Sequence, residues 1–354
     1  MAKVARIPII DLNYDDQDEA QRVRVAKDLV EAAVEHGFIY IKNTGTDIPV
    51  SAVDDAFTLS KKLFAAPLEE KEACRIQTNN RGWSAMQYET LDPAHQRVGD
   101  FKEAFNFGEF INGKAQQPIP PSISPHESDI SNFRDLCYEM CLKINTLLGI
   151  GLGVNPTDFF TQAHLREKGP SGSTLRYLYY PPLTQTPDAN PAGDVRAGAH
   201  SDYGSITMLF RLRGQAGLEI LTPDNTWVPV PVTPEGTEND PAPPILVNIA
   251  DLLSYWTNGL LRSTVHRVVF GSGGRGKLVQ GESDTEPRYS IAYFCHPVGT
   301  APLTAVPSER VRNHKPTDDS GNGNGNPYAE RKVLTADEHL QMRLRASYLQ
   351  LYKD

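Results

Sequence analysis

The sequence predicts an α+β protein in which a jelly-roll barrel of β-strands carries N-terminal and C-terminal helices packed around it. Three observations predict this fold. In the first part of the chain, apolar residues recur at helical spacing. After Gly172 the pattern changes to short apolar segments separated by turn residues, as in all-β barrels and jelly rolls. Helical spacing returns from Thr335 onwards. We expect one functional unit from the 354 residues, because single barrels with added helices reach this length.

The N-terminal region is predicted to begin with two strands around one helix. Residues 7–12 form a short buried strand, in which Pro8 is tolerated only at the start or at a sheet edge. Residues 18–36 have helical apolar spacing, and Gly37 is a favourable residue to end that helix. Residues 38–41 then form the second strand.

Two further helices are predicted before the barrel. Ser51 opens the first, with Asp54 three residues later in a capping-box arrangement, and Pro67 closes it. The Pro-rich residues 118–125 form a connector. Ser131 is expected to cap the next helix, which has a continuous apolar stripe.

The barrel and the tail follow. A Thr-x-x-Glu cap at Thr335 begins a C-terminal helix over residues 335–352, and two Gly-rich polar segments, 271–281 and 320–326, are predicted to be mobile loops. The predicted strands are 175–180, 207–212, 218–221, 227–230, 245–248, 264–270 and 289–294. The expected division is a support region over 1–125, a long helix and connector over 126–170, the β-core over 171–300, and a loop with the final helix over 301–354.

Composition limits the function. The chain carries 35 Lys and Arg against 44 Asp and Glu, a net charge of −9, which argues against nucleic acid as a partner. Four cysteines are too few and too irregular for a disulfide framework. The N-terminal residues lack an apolar signal core, and no stretch approaches the ~18 apolar residues of a membrane span. We therefore expect a cytoplasmic location and no membrane partner; composition does not itself identify a small-molecule substrate, and the sequence is silent on the oligomeric state.

One short motif carries the chemistry. His200 and Asp202 lie two residues apart, so on a β-strand both side chains would point to the same face. His266 lies in a later predicted strand. Two histidines and one carboxylate leave half of an octahedron open, as non-haem Fe(II) requires to hold substrate and oxygen. In a last strand, Arg288 and Ser290 again share a face, where they can hold a carboxylate.

Together these residues resemble the Fe(II)/2-oxoglutarate-dependent dioxygenases, in the isopenicillin N synthase-like branch. The resemblance extends into the N-terminal half, through residues 7–12 and 36–41, and covers the chain to about Pro302. Residues 195–198 and 288–295 look most like fungal thymine 7-hydroxylase-like enzymes. The resemblance implies that the barrel is a double-stranded β-helix.

The resemblance also implies the cofactors and their ligands. His200, Asp202 and His266 would bind Fe(II), which leaves three positions for 2-oxoglutarate and O₂. Arg288 would hold the far carboxylate of 2-oxoglutarate with both arms of its guanidinium, and Ser290 would add a hydroxyl. Tyr180, which stands before Pro181 as a tyrosine does in the family, is the third expected partner. Turnover would convert 2-oxoglutarate into succinate and CO₂ while the substrate is oxidised.

The substrate residues suggested by the resemblance are Arg176, Tyr203 and Phe294. Two aromatic faces and an arginine suit a flat, polar aromatic or N-heterocyclic molecule. The alternative is that Tyr203 and Phe294 belong to the barrel core. Thymine hydroxylases carry an amide side chain shortly before that arginine, where this chain has residues 172–174, Gly-Ser-Thr, which argues against thymine itself.

Two other functions stay open at this point. An oxidase of the same branch uses O₂ without 2-oxoglutarate and keeps the Arg-x-Ser motif, so release of succinate would distinguish the two. A non-catalytic jelly-roll binding protein would need neither iron nor the pair His200 and Asp202.

Overall fold

The computed structural model describes residues 4–15, 17–186, 188–190, 193–215, 217–271, 285–315 and 333–347. Its helices are α1 (Glu19–Glu35), α2 (Val50–Phe64), α3 (Leu68–Glu72), α4 (Glu127–Gly151), α5 (Phe159–His164), α6 (Asp251–Trp256), α7 (Glu309–Asn313) and α8 (Ala336–Ser347). Its strands are β1 (Ile9–Ile10), β2 (Phe38–Ile41), β3 (Gly82–Ser84), β4 (Glu103–Phe107), β5 (Phe110–Ile111), β6 (Lys114–Ala115), β7 (Thr174–Tyr180), β8 (Ala197–His200), β9 (Ile206–Arg211), β10 (Leu218–Leu221), β11 (Trp227–Pro229), β12 (Ile245–Ile249), β13 (His266–Val268) and β14 (Arg288–Cys295).

Two sheets form the centre of the molecule. The larger has eight strands in the order β1-β2-β12-β9-β14-β7-β4-β3, and the smaller has the order β11-β10-β13-β8. From β7 to β14 the chain moves back and forth between the two sheets, which is the jelly-roll arrangement that the sequence predicts. The α+β fold class is therefore confirmed, although the described strands form two facing sheets and no closed barrel.

The N-terminal strands extend the larger sheet. β2 pairs antiparallel with β12, and β1 pairs parallel with β2 at the edge of the sheet. Pro8 directly precedes β1, so it lies at a strand start on a sheet edge, as predicted. On the other side, β4 pairs with β7. The predicted support region 1–125 thus shares one hydrogen-bonded sheet with the predicted β-core 171–300.

Two apolar layers hold these elements together. The outer face of the large sheet packs against α1, α2 and α4, through residues such as Tyr177, Met208 and Tyr293. The inner face meets the small sheet through a second cluster that includes Leu178, Leu246 and Val268. Because alternate residues of a strand point to opposite faces, β7 supplies Tyr177 to the first layer and Leu178 to the second.

Local capping explains where several helices begin and end. The Asp18 side chain accepts a hydrogen bond from the Gln21 backbone N–H at 2.9 Å and caps α1, and Gly37 ends it with a φ of +68°. The predicted first residues of two helices, α2 and α4, are wrong. α2 begins at Val50 after Pro49, without a side-chain cap from Ser51. Ser131 is buried inside α4, which begins four residues earlier because a short 3₁₀ turn leads into it.

The C-terminal helix begins as predicted. The Thr335 hydroxyl accepts from the Glu338 N–H at 3.2 Å, and the Glu338 carboxylate accepts from the Thr335 N–H at 2.8 Å. This is the reciprocal capping box. The helix is described to Ser347, and the rest of the prediction to residue 352 lies outside the described residues, as do nearly all of the loop 271–281 and the whole of the loop 320–326.

Other expectations concern side-chain chemistry and membranes. All four cysteines are free and buried, which agrees with the prediction of no disulfide framework. Within the described ranges, no helix is both long enough and apolar enough to cross a membrane.

Candidate active site

The two histidines and the carboxylate of the predicted metal motif meet in space. The ligand atoms of His200, Asp202 and His266 all lie within 4.8 Å of one another. The Asp202 Oδ1 atom is 3.7 Å from Nε2 of each histidine. Three convergent nitrogen and oxygen donors at this spacing can hold one divalent ion and leave part of its coordination sphere open.

Strand pairing brings the two histidines together. β13 pairs antiparallel with β8, and His266 lies directly opposite His200, with 4.3 Å between the ring centroids. His200 is the last residue of β8, so Asp202 lies just beyond the strand and not within it. The carboxylate is held in position by Asn248 of β12, whose amide nitrogen donates to Asp202 Oδ2 at 2.8 Å.

Hydrogen bonds fix which nitrogen of each histidine faces the centre. The Nδ1 atom of His200 is 2.7 Å from the Gly198 carbonyl oxygen, and that of His266 is 3.2 Å from the Thr264 carbonyl oxygen. A carbonyl oxygen only accepts, so each Nδ1 carries the proton. Each Nε2 therefore presents a lone pair to the shared centre, as a metal ligand must.

The electrostatic surroundings keep His200 and Asp202 in the protonation states that can bind a metal. Burial, and then the neighbouring His266, lower the pKa of His200 to about 3, so its imidazole is neutral at physiological pH. Burial alone would raise the pKa of Asp202, but His266, His200 and the Asn248 hydrogen bond outweigh it and lower that pKa. The centre thus combines neutral imidazole with carboxylate, the protonation states that metal binding requires.

A cavity lies at this centre, between the two sheets. Its lining includes eight of the nine residues that the sequence predicts for the site: His200, Asp202, His266, Arg288, Ser290, Tyr180, Arg176 and Phe294.

One wall of the cavity comes from the antiparallel pair β7 and β14. Arg288 lies opposite Tyr180, and its guanidinium carbon is 4.7 Å from the centre of the Tyr180 ring. Its Nη1 atom donates to the Ser290 hydroxyl at 3.3 Å. The three side chains expected to bind 2-oxoglutarate are therefore adjacent on one face, as the alternation of strand side chains predicts.

Comparisons with known proteins agree with this geometry. Residues 7–127 match the family model of the N-terminal region of non-haem dioxygenases in morphine synthesis, and residues 171–297 match that of the 2OG-Fe(II) oxygenase superfamily. The 2-oxoglutarate-dependent dioxygenase gloF of Glarea lozoyensis is 31% identical over 81% of this chain and 85% of its own length. UPF0676 protein C1494.01 of Schizosaccharomyces pombe is 36% identical over 86% of each chain.

A solved structure is similar over nearly the whole chain. The full-length thymine 7-hydroxylase of Neurospora crassa, in complex with alpha-KG and thymine, has a TM-score of 0.75 and 28% identity over 96% of each chain. The chain belongs to the 2-oxoglutarate-dependent dioxygenases of the 2OG-Fe(II) oxygenase superfamily. It is an oxidoreductase whose cofactor is Fe(II) and whose cosubstrates are 2-oxoglutarate and O₂.

Tyr203 lies beside the C-terminal helix. The described residues that line the cavity do not include it. Its ring packs beside Ile76, Leu340 and Leu344, and the Arg343 guanidinium lies 5.1 Å from its centre. Because the chain turns after β8 to direct Asp202 inwards, the next side chain is directed to the C-terminal helix.

The dioxygenase has a buried ionic cluster beside the cavity that sequence reasoning missed. Arg176 donates from both terminal nitrogens to Glu89, at 3.3 and 2.6 Å. The Lys102 ammonium is 2.8 Å from Glu89 and also contacts Asp100. All four side chains are buried. Arg176 therefore reaches the cavity with its charge already paired.

Two of the missed residues left a signal in the sequence. Asn248 is the only polar residue in the apolar strand Ile245–Ile249, and a buried amide in such a strand requires a partner. Lys102 precedes β4, where Phe105 and Phe107 alternate with smaller residues as in a strand. No sequence signal connects Glu89 with Arg176, because their contact joins distant parts of the chain.

Proposed function

We propose that this dioxygenase hydroxylates a small, flat aromatic or N-heterocyclic molecule, with His200, Asp202 and His266 as the iron ligands. The convergence of these three donors in the wall of the cavity carries the proposal. When bound, Fe(II) together with 2-oxoglutarate and O₂ supplies the oxidising power for hydroxylation, while 2-oxoglutarate becomes succinate and CO₂. The residues of the chain bind and orient the two organic molecules.

Arg288, Ser290 and Tyr180 are proposed to hold the far carboxylate of 2-oxoglutarate. A guanidinium binds a carboxylate through two parallel N–H···O bonds, which a lysine cannot reproduce. The Ser290 hydroxyl already lies at 3.3 Å from that guanidinium, so it orients one of its arms. The aromatic ring of Tyr180 packs against the Arg288 guanidinium and restricts its rotation.

The organic substrate is proposed to bind nearer to Phe294 and Arg176. Phe294 lies six residues beyond Arg288 on the same strand, about 20 Å away at ~3.4 Å per residue. This separation lets the two organic molecules occupy different parts of one cavity. The Phe294 ring offers a stacking face, and the Neurospora crassa enzyme binds the flat bases thymine and 5-formyluracil beside alpha-KG. Residues 172–174 of this chain, Gly-Ser-Thr, argue against thymine itself.

The function is tested by anaerobic loading with Fe(II) and 2-oxoglutarate, followed by O₂ and a panel of flat heterocycles. Succinate formation that rises with one of these compounds, with one hydroxylated product per succinate, is the expected result. An oxidised product without succinate would favour the oxidase alternative and refute the proposal.

The cosubstrate assignment is tested with Arg288→Lys. Loss of one charge-assisted hydrogen bond, worth ~1.5–3 kcal/mol, should raise the 2-oxoglutarate KM roughly ten-fold or more. Arg211→Lys is the matched control, since Arg211 is also a buried arginine of the large sheet but donates to the backbone carbonyls of Val230 and Pro231. A 2-oxoglutarate KM that is the same in Arg288→Lys and Arg211→Lys would refute the role of Arg288.

A further inference from the structure

The buried ionic cluster of Glu89, Asp100, Lys102 and Arg176 lies at the cavity and has no part in binding iron or 2-oxoglutarate as proposed. Lys102 and Arg176 line the same cavity as the metal-binding residues. Two carboxylates and two cations leave the cluster with no net charge. Pairing of this kind offsets the large cost of removing each charge from water.

Strand pairing holds the cluster in one place. Lys102 lies directly before β4, which pairs with β7 so that Ala104 lies opposite Leu178. Asp100 is fixed on the other side, because its Oδ1 atom accepts from the Gly198 N–H at 2.9 Å and from the Gln96 amide at 2.8 Å. Gly198 is also the residue that orients His200. The ammonium group of Lys102 therefore has a fixed position relative to the metal centre.

The hydrogen-bonding capacity of Lys102 is not exhausted by the protein. An ammonium group has three N–H donors. In the described part of the chain, its charged partners are the carboxylates of Glu89 and Asp100. Burial opposes the charged form, but Asp100 and Glu89 outweigh it and raise the pKa of Lys102, so the ammonium keeps all three protons. One donor is left for a molecule in the cavity.

The charge of the cluster limits what that molecule can be. A carboxylate on the substrate would add a third negative charge beside Glu89 and Asp100, against only two cations. A neutral carbonyl oxygen accepts a hydrogen bond without adding charge. An apolar ring would leave the donor buried and unsatisfied, which costs free energy.

We propose that Lys102 is a specificity-determining residue that donates a hydrogen bond to a ring carbonyl oxygen of a neutral substrate. The inference rests on the proposed function and narrows its substrate class from flat heterocycles in general to carbonyl-bearing, uncharged ones. Glu89 and Asp100 act as positioning residues, because they hold the ammonium.

The test compares matched rings on the enzyme loaded anaerobically with Fe(II) and 2-oxoglutarate. The probes are 2-quinolone, quinoline and quinoline-2-carboxylate, and uracil, pyrimidine and orotate. Binding is measured by calorimetry, and coupled succinate formation is measured after addition of O₂. We expect at least one of the two carbonyl rings to bind ten-fold or more tightly than both of its matched partners.

Two variants connect this preference with Lys102. Lys102→Met should weaken binding of the preferred ring at least ten-fold, equivalent to ~1.4 kcal/mol, and leave the 2-oxoglutarate Kd unchanged. Lys102→Met leaves the buried Asp100 carboxylate without a cation, while Glu89 keeps Arg176. Lys102→Met combined with Asp100→Asn therefore restores the charge balance and should show the same loss. Unchanged binding of the ring in the double variant would overturn the proposal.

Two further results would also overturn it. A result in which neither 2-quinolone nor uracil binds more tightly than both of its matched partners would refute the role of Lys102 alone, and so would no binding of either carbonyl ring to an enzyme that still binds 2-oxoglutarate. Failure of the unaltered enzyme to bind 2-oxoglutarate would instead refute the proposed function on which the inference rests.

Discussion

Asp251 connects both segments that carry the proposed iron ligands, and its removal provides a direct test of how the centre is held. Its backbone N–H donates to the Asp202 carbonyl oxygen at 2.8 Å. Its carboxylate accepts from the Ser201 hydroxyl at 2.9 Å and from the Ser263 hydroxyl at 2.7 Å. Ser201 stands between His200 and Asp202, and Ser263 precedes the strand of the second histidine. One carboxylate therefore ties the two ligand segments together.

The expected effect of Asp251→Ala follows from these contacts. A hydrogen bond to a charged group is worth ~1.5–3 kcal/mol. Because the site is partly exposed, the two serine hydroxyl bonds to the Asp251 carboxylate fall at the lower end of this range and together contribute about 3 kcal/mol. The ion pair with Arg343, at 2.8 Å, adds little because the arginine is one-third exposed. Loss of groups that orient metal ligands typically lowers metal affinity ~10–100-fold. We expect a fall of that size in Fe(II) affinity and a lower melting temperature.

The assay is anaerobic Fe(II) titration by calorimetry together with thermal melts of the metal-free protein. Glu31→Ala is the matched control, since Glu31 binds the C-terminal Arg310 through both carboxylate oxygens, at 2.7 and 3.0 Å, and contacts neither ligand segment. Arg343→Met removes the partly exposed ion-pair partner of Asp251 and a 3.4 Å contact to the Ser201 hydroxyl, and it should have a small effect. Fe(II) affinity in Asp251→Ala equal to that of the Glu31 variant would refute the reasoning.

Three further predictions concern the metal, the substrate and pH. His200→Ala should abolish measurable Fe(II) binding in calorimetry with little change in the metal-free melt, and tight binding in that variant would contradict the ligand assignment. Phe294→Ala should weaken substrate binding by roughly 1–3 kcal/mol with an unchanged 2-oxoglutarate KM; parallel losses for both, with a lower melting temperature, would make Phe294 a core residue. Burial, and then the charge of Arg343, lower the pKa of His339 to about 4. Below pH 6.5 the unfolded chain binds a proton there that the folded chain does not, so stability falls as the pH drops to about 4, by ~3 kcal/mol. Urea unfolding at pH 7.5 and 4.5 measures the free energy of unfolding at each pH. The difference between the two values should be smaller in His339→Gln than in the unaltered protein, and an equal difference would contradict the prediction.

Much of the site could be predicted because it lies on strands. Arg176 and Tyr180 on β7, and Arg288, Ser290 and Phe294 on β14, alternate with residues that point to the helices. A period of two is visible in the sequence, so it indicates which side chains share a face. The helix ends at Gly37 and Thr335 could be predicted for a similar reason, since both depend on residues within one turn of the chain.

Ser131 and Tyr203 show how tertiary packing overrides local signals. Ser131 has the right residue type for a helix cap, yet tertiary packing buries it inside α4, and the helix begins earlier. Tyr203 follows Asp202 directly, and the resemblance to thymine 7-hydroxylase-like enzymes suggested it as a substrate residue. The turn after β8 instead directs its ring to Leu340 and Leu344 of α8.

The sequence by itself determined the α+β class, the strand segments of the jelly roll, the three residues proposed to bind the metal and the face that carries Arg288, since each depends on residue type and short-range periodicity. Only the tertiary structure decided that Glu89 pairs with Arg176, that Lys102 reaches the cavity and that Asp251 joins the two ligand segments. These contacts lie between residues far apart in the chain and outside any regular repeat. They form because the two sheets and the returning C-terminal helix exclude water, and buried charges in such a place require partners.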